Sequence, residues 1–148
     1  MSTQIATIVD YTAYIAAGII GITAVFGAGG GVISDPLNPG QTIRAAPDAP
    51  TGPWTHWSDM PDGKIEPVTQ TGTDLYEWDV PMCLWLPRAD LANMRRLAMP
   101  FYARYAVAFG ADRTFGGLCM HSHLFAIGRS GDAKWERIDF NLQVLEEA

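Results

Sequence analysis

Residues 75–86 of this chain read LYEWDVPMCLWL, and this stretch decides the fold because its large apolar side chains recur at every second position. That is the period of a β-strand with one covered face. The apolar set is Tyr76, Trp78, Val80, Met82, Leu84 and Leu86. Residues 135–145, WERIDFNLQVL, alternate in the same way. The sequence therefore predicts two long strands, each with one side against a core.

Two helices are predicted from apolar residues at helical spacing. The first covers Ile5 to Ile19, and a short strand over residues 22–26 follows it. The second runs from about Asp90 to Phe109, where Asp90 suits the cap position. Pro100 is expected to kink this helix within the preceding turn, because proline lacks the N–H that the helix needs.

A closing hairpin is predicted from strands over residues 118–127 and 135–145. Pro81 predicts that its own strand lies at a sheet edge or carries a bulge. Residues 27–72 are rich in glycine, proline and tryptophan, which predicts one long loop within a single domain spanning residues 1–148. Short edge strands are predicted within that loop, at Thr42–Ala46 and Ile65–Val68.

The amino-acid composition limits the classes of protein to which this chain can belong. The chain has 148 residues, of which 48% are hydrophobic and 18% charged, which is typical of a globular domain. Its net charge of -6 argues against nucleic acid as the main partner. Residues 1–87 hold two basic and nine acidic side chains, a net charge of -7, whereas residues 88–148 hold eight basic and seven acidic ones, a net charge of +1. Such polarity suits self-association, although a solvated surface is the simpler explanation.

A membrane span is the obvious alternative for residues 12–33, which carry no charge and are long enough to cross a bilayer. Six glycines interrupt this stretch, and no lysine or arginine flanks it. We therefore expect a buried helix, a strand and a glycine loop there, and no membrane contact.

The cysteines give the one candidate for a metal site. Cys83 and Cys119 lie in apolar patterns, so both are predicted to be buried free thiols, which suits a reducing cytoplasm. Cys119, His121 and His123 fall at alternate positions and would share one face of a strand. All three are zinc-ligand types. A polar stripe without metal is the favoured interpretation, because no carboxylate or second cysteine pair supports a ligand set.

No catalytic set is recognisable, so we expect a protein that is not an enzyme and that needs no cofactor. There is no G-x-S-x-G elbow, and the glycine run at residues 27–31 lacks the lysine of a phosphate loop. A small-molecule module built on the aromatic face of Tyr76 and Trp78 would need an open pocket. Interface candidates are the large apolar side chains of the long loop and the residues of the 110–117 turn. They are Trp54, Trp57, Met60, Arg113 and Phe115.

The order of elements resembles the tail terminator (tail completion) and neck proteins of long-tailed bacteriophages and phage-like particles. The resemblance is carried by the first helix, the strand ITAVF at residues 22–26, and the Pro-rich variable loop. It continues through LYEWDVPMCLWLPRAD at residues 75–90, the long helix, TFGG at residues 114–117 and the closing hairpin with DFNLQV at residues 139–144. It is best from Asp74 to Val144, and residues 27–72 depart from it.

This resemblance implies an α+β fold, a mostly antiparallel sheet with helices packed on one face. It also implies a ring of subunits, commonly six-fold, that caps the tail tube and meets the head-tail connector in the virion. The partners would be other copies of the chain, the tail tube protein and the connector proteins. Alternatives within the same class are a head-closure, adaptor or tail-tube subunit. The alternative from another class is a small metal-binding domain that uses Cys119, His121 and His123.

Overall fold

A computed structural model describes residues 3–26, 33–34, 42–43, 54–68, 73–131 and 135–147. In chain order the elements are α1 Ile5–Ala17, β1 Ala24–Phe26, β2 Ile33–Ser34, β3 Thr42–Ile43, β4 Thr55–Ser58, β5 Asp62–Val68, β6 Thr73–Pro87, α2 Leu91–Gly110, β7 His121–Gly131 and β8 Trp135–Glu147.

The centre of the fold is the antiparallel pair of β6 and β8. Their register runs from Leu75 opposite Glu147 to Pro87 opposite Trp135 without a shift. β7 pairs with the far side of β8, and β4 and β5 pair with the far side of β6. β1 extends the sheet beyond β4 as its only parallel neighbour among the described strands. The predicted α+β fold with a mostly antiparallel sheet is confirmed.

β4 and β5 follow one another along the same side of β6 and form one long hairpin with it. Ser58 pairs with Met82, and Asp62 pairs with Asp79, so one extra residue lies between the two ladders. This is a β-bulge. Pro81 lies opposite it, and the Pro81 carbonyl accepts a hydrogen bond from the Asp59 N–H at 2.8 Å. Of the two alternatives predicted for Pro81, the edge position is wrong, and the bulge is found on the neighbouring strand, where it makes the missing N–H of Pro81 tolerable within a central strand.

Both helices pack on the same face of the sheet. The alternation in β6 and β8 sends their even-numbered side chains towards the helices, as the sequence predicted. Fully buried members of this core include Leu84, Leu86, Ile138, Leu142 and Tyr105. The opposite side of the sheet, which we call the open face, carries Trp57, Cys83, Arg137 and Asp139. No described helix packs on the open face.

The buried carboxylate of Glu146 ties the first helix to the sheet. One oxygen accepts the Gln4 N–H at 2.6 Å, and the other accepts the Trp78 indole N–H at 2.7 Å and the Thr3 hydroxyl. A carboxylate at a helix N-terminus is stabilised by the unpaired backbone N–H groups and by the helix dipole. Glu146 therefore sets where α1 begins, although it lies more than a hundred residues away along the chain.

The helix boundaries agree with the sequence to within two residues. Asp90 caps α2 as predicted, because its side chain accepts the Asn93 N–H at 3.0 Å. α2 continues through Pro100, and the predicted kink stays a prediction. β7 begins three residues later than predicted, because residues 111–120 form turns instead.

The predicted loop over residues 27–72 is wrong at residues 55–58 and 62–64, where β4 and the start of β5 form, whereas the predicted strand at Ile65–Val68 is confirmed as the end of β5. Pro61 and Gly63 hide the strand pattern in the sequence, whereas pairing with β6 supplies the hydrogen bonds. Strand pairing of Thr42–Ile43 agrees in part with the predicted strand at Thr42–Ala46. The remaining residues of that strand and the glycine run at residues 27–31 lie outside the described residues.

We expect a Gly63→Ala substitution to lower the free energy of unfolding by roughly 1–3 kcal/mol, as overpacking does. A Cβ atom at position 63 would overlap the Trp78 ring, which cannot swing away while its N–H is bonded to Glu146. Urea denaturation measures the loss. Gly110→Ala is the matched control, since its added Cβ meets only the Arg113 guanidinium, at 4.0 Å. Equal stability of the two variants would contradict the packing described for Trp78.

Candidate interaction surfaces

The three candidate metal ligands, Cys119, His121 and His123, do not come together at one site. Cys119 precedes β7 and is buried in the core cluster, where its thiol contacts the Arg113 carbonyl at 3.5 Å. His121 and His123 are exposed on β7, and the Arg113 guanidinium bonds to His123 Nδ1 at 3.1 Å. The prediction that all three share one strand face is wrong, because the strand begins only at His121. Within the described ranges no group of three His, Cys, Asp or Glu residues could hold a metal ion.

Both cysteines are buried free thiols, as predicted. Burial raises the pKa of the Cys83 thiol to about 12 and that of Cys119 to about 11. Thiolates are the nucleophiles and the metal ligands, so neither group is prepared for such chemistry at neutral pH.

Two of the five predicted interface residues pack against α1 or α2 of the same subunit. Phe115 is 3% exposed and contacts Tyr11, with ring centroids 6.4 Å apart. The turn that buries it is held by Asp112, whose carboxylate accepts three hydrogen bonds from Thr114 and Gly116. Trp54 is half-buried and stacks on Phe101 of α2 at 5.2 Å. Phe115 is therefore not available to a partner, whereas the interface role of Trp54 stays a prediction.

The other three predicted residues lie on accessible surface. Met60 is 66% exposed at the bulge between β4 and β5. Trp57 is half-buried on the open face, and Arg113 is exposed beside β7. Trp78, considered for a small-molecule pocket, lies over Gly63 and is bonded to Glu146 instead.

A small cavity of about 130 Å³ lies on the open face. It is lined by Trp57, Asp59, Pro81, Met82, Cys83, Arg137 and Asp139. Arg137 and Asp139 form an ion pair at 2.7 Å, and Ser130 also donates to Asp139 at 2.9 Å. Asp59 is exposed, and its carboxylate accepts one described hydrogen bond, from the adjacent Met60 N–H at 2.7 Å. The cavity therefore has a neutralised ion pair and a carboxylate, that of Asp59, with no cation partner among the described residues.

The outer surface of α2 has the opposite character. All three charged residues of this helix are arginines, namely Arg95, Arg96 and Arg104. Apolar side chains are exposed on the same helix, with Leu91 at 60%, Met99 at 49% and Val107 at 74%. We call Leu91, Arg95, Met99 and Val107 the α2 ridge, because they follow one i, i+4 row of the helix surface. Beyond its end, Ile20 and Val107 line a shallow apolar groove between the two helices.

The sequence did not single out this ridge, because helix arginines ordinarily belong to a solvated face. The signal that could have found it is the spacing of Leu91, Met99 and Val107, which fall off the buried stripe of α2. Exposed apolar residues in one row, with cations and no carboxylate, are typical of a surface that binds a partner.

A chain of hydrogen bonds crosses the core between the sheet and both helices. Tyr105 bonds to Nδ1 of His56 at 2.6 Å, Nε2 of His56 bonds to Ser58 at 2.9 Å, and the Ser58 and Thr12 hydroxyls are 3.3 Å apart. The Thr12 hydroxyl donates to the Val9 carbonyl at 2.7 Å, and a carbonyl only accepts. The Thr12–Val9 bond therefore fixes which group donates and which accepts in each of the other hydrogen bonds. Ser58 donates to Thr12, His56 carries its proton on Nε2, and Tyr105 donates to Nδ1.

This network of hydrogen bonds is part of the core packing. His56 is fully buried, and burial lowers its pKa to about 3, so the ring is neutral at physiological pH. Burial also holds the pKa of Tyr105 well above 10. Each hydroxyl and ring nitrogen has a partner, which removes the cost of burying these groups.

No protein-family model matches this chain, and no curated protein matches it either. Within the described residues, no helix is long and apolar enough to cross a membrane.

We expect His56 to make the protein less stable as the pH falls from about 6.5 towards 3. The folded state keeps the ring neutral, whereas the unfolded chain takes up a proton near pH 6.5 and is thereby stabilised. Between pH 7 and pH 5 this removes roughly 2 kcal/mol. Urea denaturation at both pH values measures the loss.

The comparison uses His56→Gln, which should lose this part of the pH dependence, and His121→Gln, which should retain it because His121 is exposed. An identical pH dependence in wild type and His56→Gln would contradict a neutral buried imidazole.

Proposed function

We propose that this protein is a structural subunit of a phage tail, a terminator or neck protein that forms a ring and joins tail to head. The observation that carries this proposal is a pair of chemically unlike surfaces on opposite sides of one subunit. The α2 ridge is apolar and cationic on the outside of the helix layer, and the cavity with Asp59 lies on the open face of the sheet.

Unlike surfaces on opposite sides of a subunit favour head-to-tail association. A two-fold dimer buries the same patch of both copies, so two surfaces on opposite sides of a subunit cannot meet each other across it. Repeated head-to-tail contact closes into a ring when the rotation per subunit allows it and otherwise continues as a filament. A ring that caps a tube needs this type of contact.

The fold gives further support. The sequence resemblance to tail terminators implied a mostly antiparallel sheet with helices on one face, and the structure has that architecture. The buried polar chain of His56 serves packing, and both thiols are protonated, so these groups suit a structural role. The location in the virion and the connector partners are part of the same proposal.

We expect concentration-dependent assembly into a closed ring of defined size, commonly six copies of the 16.1 kDa chain. Size-exclusion chromatography with light scattering, across a concentration series, measures the mass, and electron microscopy of the peak fractions shows the shape. Long tubes would instead favour a tail-tube subunit. A strictly monomeric species at every concentration up to millimolar would contradict the proposal.

A further inference from the structure

We propose that the cavity on the open face is the receptor for Arg95 of a second copy of this chain. In this contact the α2 ridge of one copy lies against the open face of the next. The inference rests on the proposed function and names the residues through which the copies join.

Charge complementarity favours this contact. Arg104 donates to the Ile20 carbonyl at 3.1 Å and lies over the Phe101 ring, and Arg96 bonds to Asn93 at 3.2 Å. Arg95 is exposed and has no partner within the part of the chain that the structure describes. In the cavity, Asp139 is already paired with Arg137, whereas Asp59 is not paired with a cation among the described residues. The α2 ridge therefore offers one guanidinium, and the cavity one carboxylate, without an ionic partner among the described residues.

The side chains that line the cavity suit a guanidinium group. Trp57 supplies an aromatic surface, and guanidinium groups stack favourably on tryptophan rings. Cys83 also lines the cavity, and its thiol is uncharged at neutral pH because burial raises its pKa to about 12. Because Arg137 neutralises Asp139, Asp59 gives the cavity lining a net negative charge, which disfavours an anionic ligand.

The volume of the cavity also suits a single side chain. The cavity of about 130 Å³ is smaller than the roughly 300–1,000 Å³ of typical small-molecule sites. A single side-chain head group suits this volume better than a metabolite does. Arg95 is long enough to enter a shallow cavity while its helix remains on the surface.

Apolar side chains lie beside both members of the proposed charged pair. Met60 is next to Asp59 and is 66% exposed, and Met99 lies one helical turn from Arg95. Burying these methionines against one another would exclude water from the Arg95–Asp59 pair. A central ion pair surrounded by apolar contacts is the arrangement that strengthens such a pair in an interface.

The test is a charge exchange read by light scattering and electron microscopy. Arg95→Glu and Asp59→Arg are each expected to weaken assembly at least about tenfold, because each places two like charges in contact. An equimolar mixture of the two variants should assemble, since the ridge of Asp59→Arg still fits the cavity of Arg95→Glu. The double variant should also assemble, with the reversed pair.

Arg96→Glu is the matched control for the ridge, because Arg96 is an exposed neighbour outside the i, i+4 row. Asp62→Arg is the control for the open face, because Asp62 lies beyond the bulge. Both should assemble as wild type does. Circular dichroism on each variant verifies that the fold is retained.

Wild-type rings that persist in Arg95→Glu and Asp59→Arg would overturn this contact and leave the proposed function intact. Loss of assembly in both single variants without recovery in the mixture or the double variant would also overturn it. Failure of the wild type itself to assemble would count against both proposals.

Discussion

The unbroken antiparallel register of β6 and β8 is the constraint on which the rest of the structure depends. Thirteen residue pairs follow one another without a shift. Because side chains alternate across a sheet, a slip of one residue would turn Leu84 and Ile138 towards solvent and bring Cys83 and Arg137 into the core. The register therefore decides which face receives the helices and which face stays open.

The same register places the polar groups that the core must satisfy. Glu146 lies on the helix face at one end of β8, where the unpaired N–H groups of α1 and the Trp78 indole meet its carboxylate. His56 lies on the same face of β4, paired across the sheet with Leu84, where Tyr105 and Ser58 reach both ring nitrogens. Satisfied buried groups of this kind tolerate few alternative packings, since leaving one unpaired costs roughly 1–3 kcal/mol.

The parts of the fold that the sequence predicted are those with a long apolar period, namely β6, β8 and both helices. β4 and the first half of β5 were hidden, because the bulge residues Met60 and Pro61 break the alternation and their pairing with β6 is not a local property. Only the end of β5, at Ile65–Val68, was predicted. The burial of Phe115 was missed as well. Its backbone has a positive φ of 50°, held by the hydrogen bonds of the surrounding turn, and no apolar pattern signals such a conformation. Of the interface candidates, Met60 and Trp57 lie beside the proposed contact, whereas Arg95 emerged only from the structure.

The unlike faces of the subunit connect this architecture with the proposed assembly. Placing both helices on one side of the sheet puts the α2 ridge on one side of the subunit and the open face, with Asp59, on the other. The most direct measurement is an electron cryo-microscopy map of the assembled protein. The account predicts that α2 of each copy lies on the open face of the next, with Arg95 beside Trp57 and Asp59. Copies related by a two-fold axis with their open faces in mutual contact would contradict it.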